Sequence, residues 1–215
     1  VLGSLFRKKT TPEPVKEQFP LELYPGAALS FDMMPVRMVA DSLLFSPPEG
    51  QQIVEAIGVV DLGASARLYR FYTGDDFFLQ VSCTGGITAS HIDDIKLFSF
   101  YDTEHPNGQQ QVDQWVGEGG VIGRPQRSFD GKTFDRVWGS GDQWLSPNHL
   151  VEKVKPRDDA GYGCDHLCML YQRNIEGASD ITEYTLTSLE FTGDDEYTVV
   201  TSVGVDVPMT SIEIF

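Results

Sequence analysis

Cys164-Asp165-His166-Leu167-Cys168 is the stretch whose residue types and spacing come nearest to chemistry. On an extended strand side chains alternate between faces, so Cys164, His166 and Cys168 share one. Thiolate and imidazole are zinc ligands, and a zinc site takes four ligands, or three and a water. Cys83 or His149 would be the fourth. A flat strand opposes this reading. Alternate residues stand roughly 6.6–7 Å apart along it, whereas ligands on one zinc lie about 3–4 Å apart, given bond lengths near 2.0–2.3 Å. A bend at Gly163 would be required, and buried cysteines beside a strand-end histidine are the simpler reading. No cofactor is expected, with zinc as the one candidate.

Two arginines form the second constellation. Arg70 stands among Tyr69, Phe71 and Tyr72, and Arg136 lies near Phe134 and Trp138. A guanidinium inside an aromatic strand needs a carboxylate or a ring face, because burying it unpaired is costly. An ion pair within the sheet, with Glu55 or Asp135, is the structural explanation. A groove for a ligand or partner lined by Arg70, Tyr72, Arg136 and Trp138 is the functional one.

Other chemistry is thinner. Ser90-His91-Ile92-Asp93-Asp94 has the residue types of a triad, but neighbours in sequence seldom converge on one substrate. No Gly-x-Ser-x-Gly elbow is present. The acidic pairs Asp75/Asp76, Asp93/Asp94, Asp158/Asp159 and Asp194/Asp195 lack calcium-loop spacing and read as solvated turns. Gly117, Gly119 and Gly120 have neither a Walker lysine nor a following helix.

The elements that would carry these groups are strands. Residues 53–82 read as three strands of an antiparallel meander, Gln52 to Asp61, Arg67 to Tyr72 and Phe77 to Ser82. In the second, Tyr69 and Phe71 share one face while Leu68, Arg70 and Tyr72 share the other. Large apolar groups on both faces predict a sheet region covered on each side. Ala28 to Asp32, Pro35 to Ala40, Ser42 to Phe45, Ile95 to Tyr101, Leu150 to Val154 and Leu167 to Arg173 are further extended segments. Asp130-Gly131 marks a two-residue hairpin with Ser128 facing Thr133. Glu183 to Phe191 and Tyr197 to Val205 form another hairpin around Thr192-Gly193-Asp194-Asp195. That tetrapeptide repeats Thr73 to Asp76, which reads as turn chemistry used twice. Gln109 to Val116 reads as a short helix, with Asn107 as its cap, one of the one or two short helices expected. The spacing thus predicts a mainly β fold, α+β at most, of antiparallel meanders and hairpins packed as a sandwich or strongly twisted sheet. One domain spans residues 21–215, with sub-layers near 21–104 and 105–215, after a flexible tail at 1–20.

The 215 residues are enough for a real core, and 21 glycines with 12 prolines favour short strands and turns. Net charge is −16, and residues 1–16 carry +3 of it, leaving −19 on the remainder. So acidic a body is a poor phosphate binder, and nucleic acid is excluded as a partner. Three cysteines are no disulfide framework, which favours a reducing, cytoplasmic setting. No apolar run approaches the roughly 20 residues of a spanning helix. Residues 1–9, with Leu2, Leu5 and Phe6 beside Arg7, Lys8 and Lys9, allow at most weak contact with a membrane surface.

Several blocks together, among them Ile53-Val54-Glu55-Ala56-Ile57-Gly58, Asp61-Leu62-Gly63-Ala64, Asp94-Ile95-Lys96-Leu97-Phe98, Ile122-Gly123-Arg124-Pro125 and Met169-Leu170-Tyr171-Gln172-Arg173, resemble the YjfK-like family of bacterial proteins of unknown function. The similarity runs from about Leu21 to the C-terminus. Genes of that family often lie near relatives of a phage-shock-type membrane-stress coat protein and near polyamine-ligase-like enzymes. The resemblance implies a cytoplasmic accessory role beside a stressed membrane, with a protein partner, and supplies no catalytic residues. The expectation is therefore a non-catalytic binding or adaptor protein. The alternative is a metal- or cysteine-dependent enzyme using Cys164, His166 and Cys168.

Overall fold

Residues 17–193 and 196–215 are described by a computed structural model. The apolar-basic segment 1–9 lies outside the described residues. Phe19 is already packed edge-on against Tyr69 and Phe71.

Strands in chain order are β1 (Ala28–Phe31), β2 (Gln52–Gly63), β3 (Ala66–Thr73), β4 (Phe77–Thr84), β5 (Ile92–Glu104), β6 (Gln126–Phe129), β7 (Lys132–Arg136), β8 (Asn148–Pro156), β9 (Tyr162–Ile175), β10 (Ala178–Phe191), β11 (Tyr197–Asp206) and β12 (Ile212–Ile214). Strands β2 to β5 make one four-stranded meander and β8 to β11 a second. Their edges join twice, β5 to β11 and β2 to β8, always antiparallel. The sheet therefore closes on itself as an eight-stranded barrel. A closed sheet corrects the expected sandwich or open twisted sheet. Closure depends on β8 pairing along both its edges, a long-range event that alternation within one strand does not encode. It also removes the exposed edges an open sheet would present.

The two Thr-Gly-Asp-Asp stretches do not occupy matching places. The first joins the second and third strands of its meander, whereas the second stretch begins the link between the third and fourth strands of the other. Turn chemistry explains the repeat better than duplication does. The 128–133 hairpin forms as expected, with Asp130 and Gly131 at φ 47° and 76° and Ser128 opposite Thr133.

Helix α1 (Met34–Arg37) replaces the extended segment expected over Pro35 to Ala40, because Pro35 fits the first turn of a helix. A 3-10 turn at Ala40–Ser42 follows it. Helix α2 spans Gln109–Val116, but Gly108 is its cap rather than Asn107. The Asn107 backbone N–H instead donates to Gln111 Oε1 at 2.7 Å.

Side-chain alternation divides the wall into two faces. Outward residues such as Ile57, Tyr69, Phe71, Leu79 and Leu97 are buried by the chain at 19–45, with Leu23, Leu29, Val36 and Phe45 packing on them. Helix α2 and the β6–β7 hairpin cover another sector, where Val112, Ile122 and Phe134 meet Met169, Tyr171 and Leu189. Inward residues form a third cluster, with Phe78 stacked on Phe98 beside Cys168, Leu170, Tyr184 and Leu186. Both faces of the wall are thus covered, as the aromatic meander implies. The covering segment is tied down by Glu183, whose Oε1 accepts the Leu44 and Phe45 backbone N–H groups at 2.6 and 2.7 Å. Arg173 holds the other oxygen through Nε at 2.8 Å and donates to the Ser42 carbonyl.

Candidate functional site

Arg70 points into the lumen, as its place opposite Tyr69 and Phe71 requires, and is 3% exposed. Its partner is neither Glu55 nor Asp135. Glu55 faces Arg157 on the surface at 3.6 Å, and Asp135 accepts from Gln126 at 2.7 Å. Glu152, fully buried on β8, takes that role, with Arg70 Nη1 2.7 Å from Oε2. Arg70 Nε also donates to Gln80 Oε1 at 3.1 Å, and the guanidinium lies 5.8 Å from the Phe78 ring centre.

Two more side chains converge on the same carboxylate, Tyr72 from β3 and His166 from β9. Tyr72 donates its hydroxyl to Glu152 Oε1 at 2.9 Å. His166 Nε2 lies 2.9 Å from Oε2, but off the line of its N–H, so the contact is an ion pair rather than a directed hydrogen bond. On the ring's other side Nδ1 meets Ser188 Oγ at 3.1 Å and Glu190 Oε1 at 3.3 Å. Cross-strand register brings this about, because Glu190 pairs with His166 between β10 and β9. Glu152 reaches Arg70 only because position 58 has no side chain. A Cβ there would stand 1.5 Å from Glu152 Oε1.

Burial opposes charge on all these groups, and the pairings overcome it. Burial would raise the Glu152 carboxyl, but Arg70, His166 and Tyr72 pull it down to about 2. Burial would likewise lower His166, yet Cys164, Glu152 and Glu190 push it up to about 11. Cys168 is pushed up to about 11 by burial. The lumen therefore holds two cations, Arg70 and His166, against the Glu152 carboxylate, with Cys168 a thiol.

A cavity of about 280 Å³ lies above this network, and all eight barrel strands contribute to its wall. Its floor is Arg70, Glu152 and His166. Apolar walls come from Ala56, Val154, Leu186 and Val200, and Tyr162, Cys164 and Glu190 stand at the mouth. Cys164, His166 and Glu190 each present a ligand atom within 4.8 Å of the other two.

The expected site residues are thus only partly gathered. Arg70, Tyr72, Cys164 and His166 meet around one cavity. Cys168 sits deeper in the lumen, its thiol 3.7 Å from the Asn148 carbonyl. Cys83 packs in the outer cluster, and His149 pairs on the surface with Asp165 at 2.6 Å, so neither supplies a fourth ligand. Trp138 lines the opposite end of the barrel with Leu150, Leu170 and Tyr184. Arg136 clamps a loop, donating to the carbonyls of Gly123, Gly141 and Gln143 at 2.6–3.0 Å. Glu152 and Glu190 are the residues that sequence reasoning missed. Glu152 was detectable, since it shares a strand face with Leu150 and Val154, and a charge on an apolar face asks for a buried partner.

Substituting Gly58 with alanine drives a methyl group into Glu152. Urea unfolding should show a loss of about 2–4 kcal/mol, combining overpacking with a disturbed ion pair. A neutral result would mean that Glu152 does not approach this backbone.

A closed eight-stranded antiparallel barrel with a cavity over a charged lumenal floor defines the architecture of the site. The chain belongs to the family described as Protein of unknown function (DUF2491), whose profile matches residues 1–213. It is 30% identical over 209 residues to the uncharacterized protein YjfK of Escherichia coli (strain K12), covering 94% of this chain and 93% of that protein. No solved structure matches it. No helix among the described residues is long and apolar enough to cross a membrane.

Proposed function

We propose that the chain is a non-catalytic binding protein that takes one small ligand through the Glu190 mouth into the barrel lumen. The cavity carries this reading: it ends on polar groups already fixed by one another, beneath apolar walls, as ligand sites generally do. Its volume of about 280 Å³ suits a small molecule. Catalysis by proton transfer is disfavoured, because an efficient acid or base titrates near the working pH. Glu152 and His166 are held at about 2 and about 11, far from it.

The adaptor role in the cytoplasm that the family resemblance implies would use a different surface. Met34, Met38, Met209, Ile214 and Phe215 expose apolar side chains on and around α1 and β12, a feature that favours a protein partner. Co-purification with a membrane-associated coat protein, lost on replacing Met38 and Phe215 by serine, would support this role. Retention in that variant would argue against it.

The lumen reading is tested by thermal-shift screening with fragment-sized organic probes on the full chain. Probes that raise the melting temperature should lose their effect when Ala56→Phe or Val200→Phe fills the cavity. Unchanged shifts in folded, filled variants would place binding elsewhere.

A further inference from the structure

We infer that Cys164, His166 and Glu190 form a site for a divalent transition metal, zinc above all, at the mouth of the barrel. The inference rests on the lumen being a binding site and gives its ligand a chemical class.

Flat-strand spacing argues against Cys-x-His as a metal pair, but the barrel changes the count of strands involved. Cys164 and His166 come from β9, and Glu190 comes from the adjacent β10, directly opposite His166. Side-chain reach then brings all three ligand atoms within 4.8 Å of one another. His166 Nδ1 and Glu190 Oε1 are 3.3 Å apart. Two ligands with bonds near 2.0–2.1 Å at a tetrahedral angle are separated by about that distance. Cys164 needs only a small side-chain movement to join them, and Ser188 must release its bond to Nδ1.

The surroundings of the ring supply the second observation. A metal-bound histidine almost always directs its other nitrogen to a carboxylate or carbonyl, which fixes its orientation. Glu152 stands 2.9 Å from Nε2, on the side away from Glu190, and is itself held by Arg70 and Tyr72. A carboxylate therefore already stands beside the ring nitrogen that would face away from the metal, although the N–H is not directed at it. Thiolate, imidazole and carboxylate together suit zinc, with a fourth position left toward the mouth.

The test is a titration of the full, metal-free chain with Co²⁺ and Zn²⁺. Expected is one equivalent of Co²⁺ bound with a thiolate-to-cobalt charge-transfer band in the near ultraviolet, displaced by Zn²⁺. Cys164→Ser should abolish that band, and Glu190→Gln, which removes a ligand, should weaken binding by at least the roughly 10–100-fold typical of losing an outer-shell partner. His149→Ala, which alters a surface histidine, should change neither. Thermal melts establish that each variant is folded. Absence of a thiolate band in the folded wild type, or its survival in Cys164→Ser, would overturn the inference. If metal fails while organic probes still act only through the unfilled lumen, the binding reading stands and the metal assignment alone is lost.

Discussion

Glu152→Gln is expected to lower the stability of the chain by about 3–5 kcal/mol, the usual cost of removing one member of a buried ion pair. For a chain of this size that corresponds to a fall in melting temperature of roughly 10 °C. The cause is the pair of cations left behind. Arg70 is 3% exposed and its Nη1 has Glu152 as its carboxylate, while His166, equally buried, would keep only Glu190. Arg70→Met alone should be costly too, but the double variant should cost less than the sum. Urea unfolding of the four proteins in the cycle checks this, and simple additivity would contradict direct pairing.

The same network fixes a pH dependence for the metal-free protein. Glu152 is depressed from 4.5 to about 2, so its contribution is complete above pH 4.5 and fades as pH falls through about 2. His166 is raised from 6.5 to about 11, so its contribution is complete below pH 6.5 and declines progressively as pH rises towards about 11. Both are fully present only between those two ordinary values. Urea midpoints should therefore peak between pH 4.5 and 6.5 and fall on the alkaline side, with the alkaline fall flattened in His166→Gln. An alkaline limb unaffected by that substitution would mean the ring is not held charged by Glu152 and Glu190.

Glu183→Gln should have a comparable effect for a different reason. Glu183 lies on the outer face, fully buried, and takes the Leu44 and Phe45 backbone groups on one oxygen and Arg173 on the other. Its loss leaves Arg173 without its carboxylate and weakens the anchor of the covering segment. A loss of about 3–5 kcal/mol is expected. Hydrogen exchange should also locate it, with the Leu44 and Phe45 amides exchanging faster than the β3 and β4 amides beneath. Uniform acceleration across the barrel would show that the segment is not separately anchored.

Much of this was legible in the chain, and the limits have physical causes. Alternation placed Arg70 and Tyr72 on one face and Tyr69 and Phe71 on the other, because side-chain period is a local property of a strand. It likewise put Cys164, His166 and Cys168 on one face. The partner of Arg70 was not legible, since Glu152 is 82 residues away and meets it across the lumen. Barrel closure was hidden for the same reason, as β2 and β8 pair residues far apart in the chain, such as Ala56 with Pro156. The capacity of Cys164 and His166 to converge with a third ligand depended on Glu190, whose register against His166 no spacing within β9 could disclose. Pro35 to Ala40 misled because β-branched and apolar residues there suggest a strand, while the proline starts a helical turn instead.

The measurement that bears most directly on the lumen as the binding site is a methyl NMR titration of the full chain with an organic probe from the thermal-shift screen. Methyl groups of Val154, Leu186 and Val200 line the cavity, whereas Val151, on the same strand as Val154, is exposed on the outer wall. Binding in the lumen predicts saturable shifts at Val154, Leu186 and Val200 with Val151 unmoved. Shifts at Val151 with the three lumenal residues silent would contradict it.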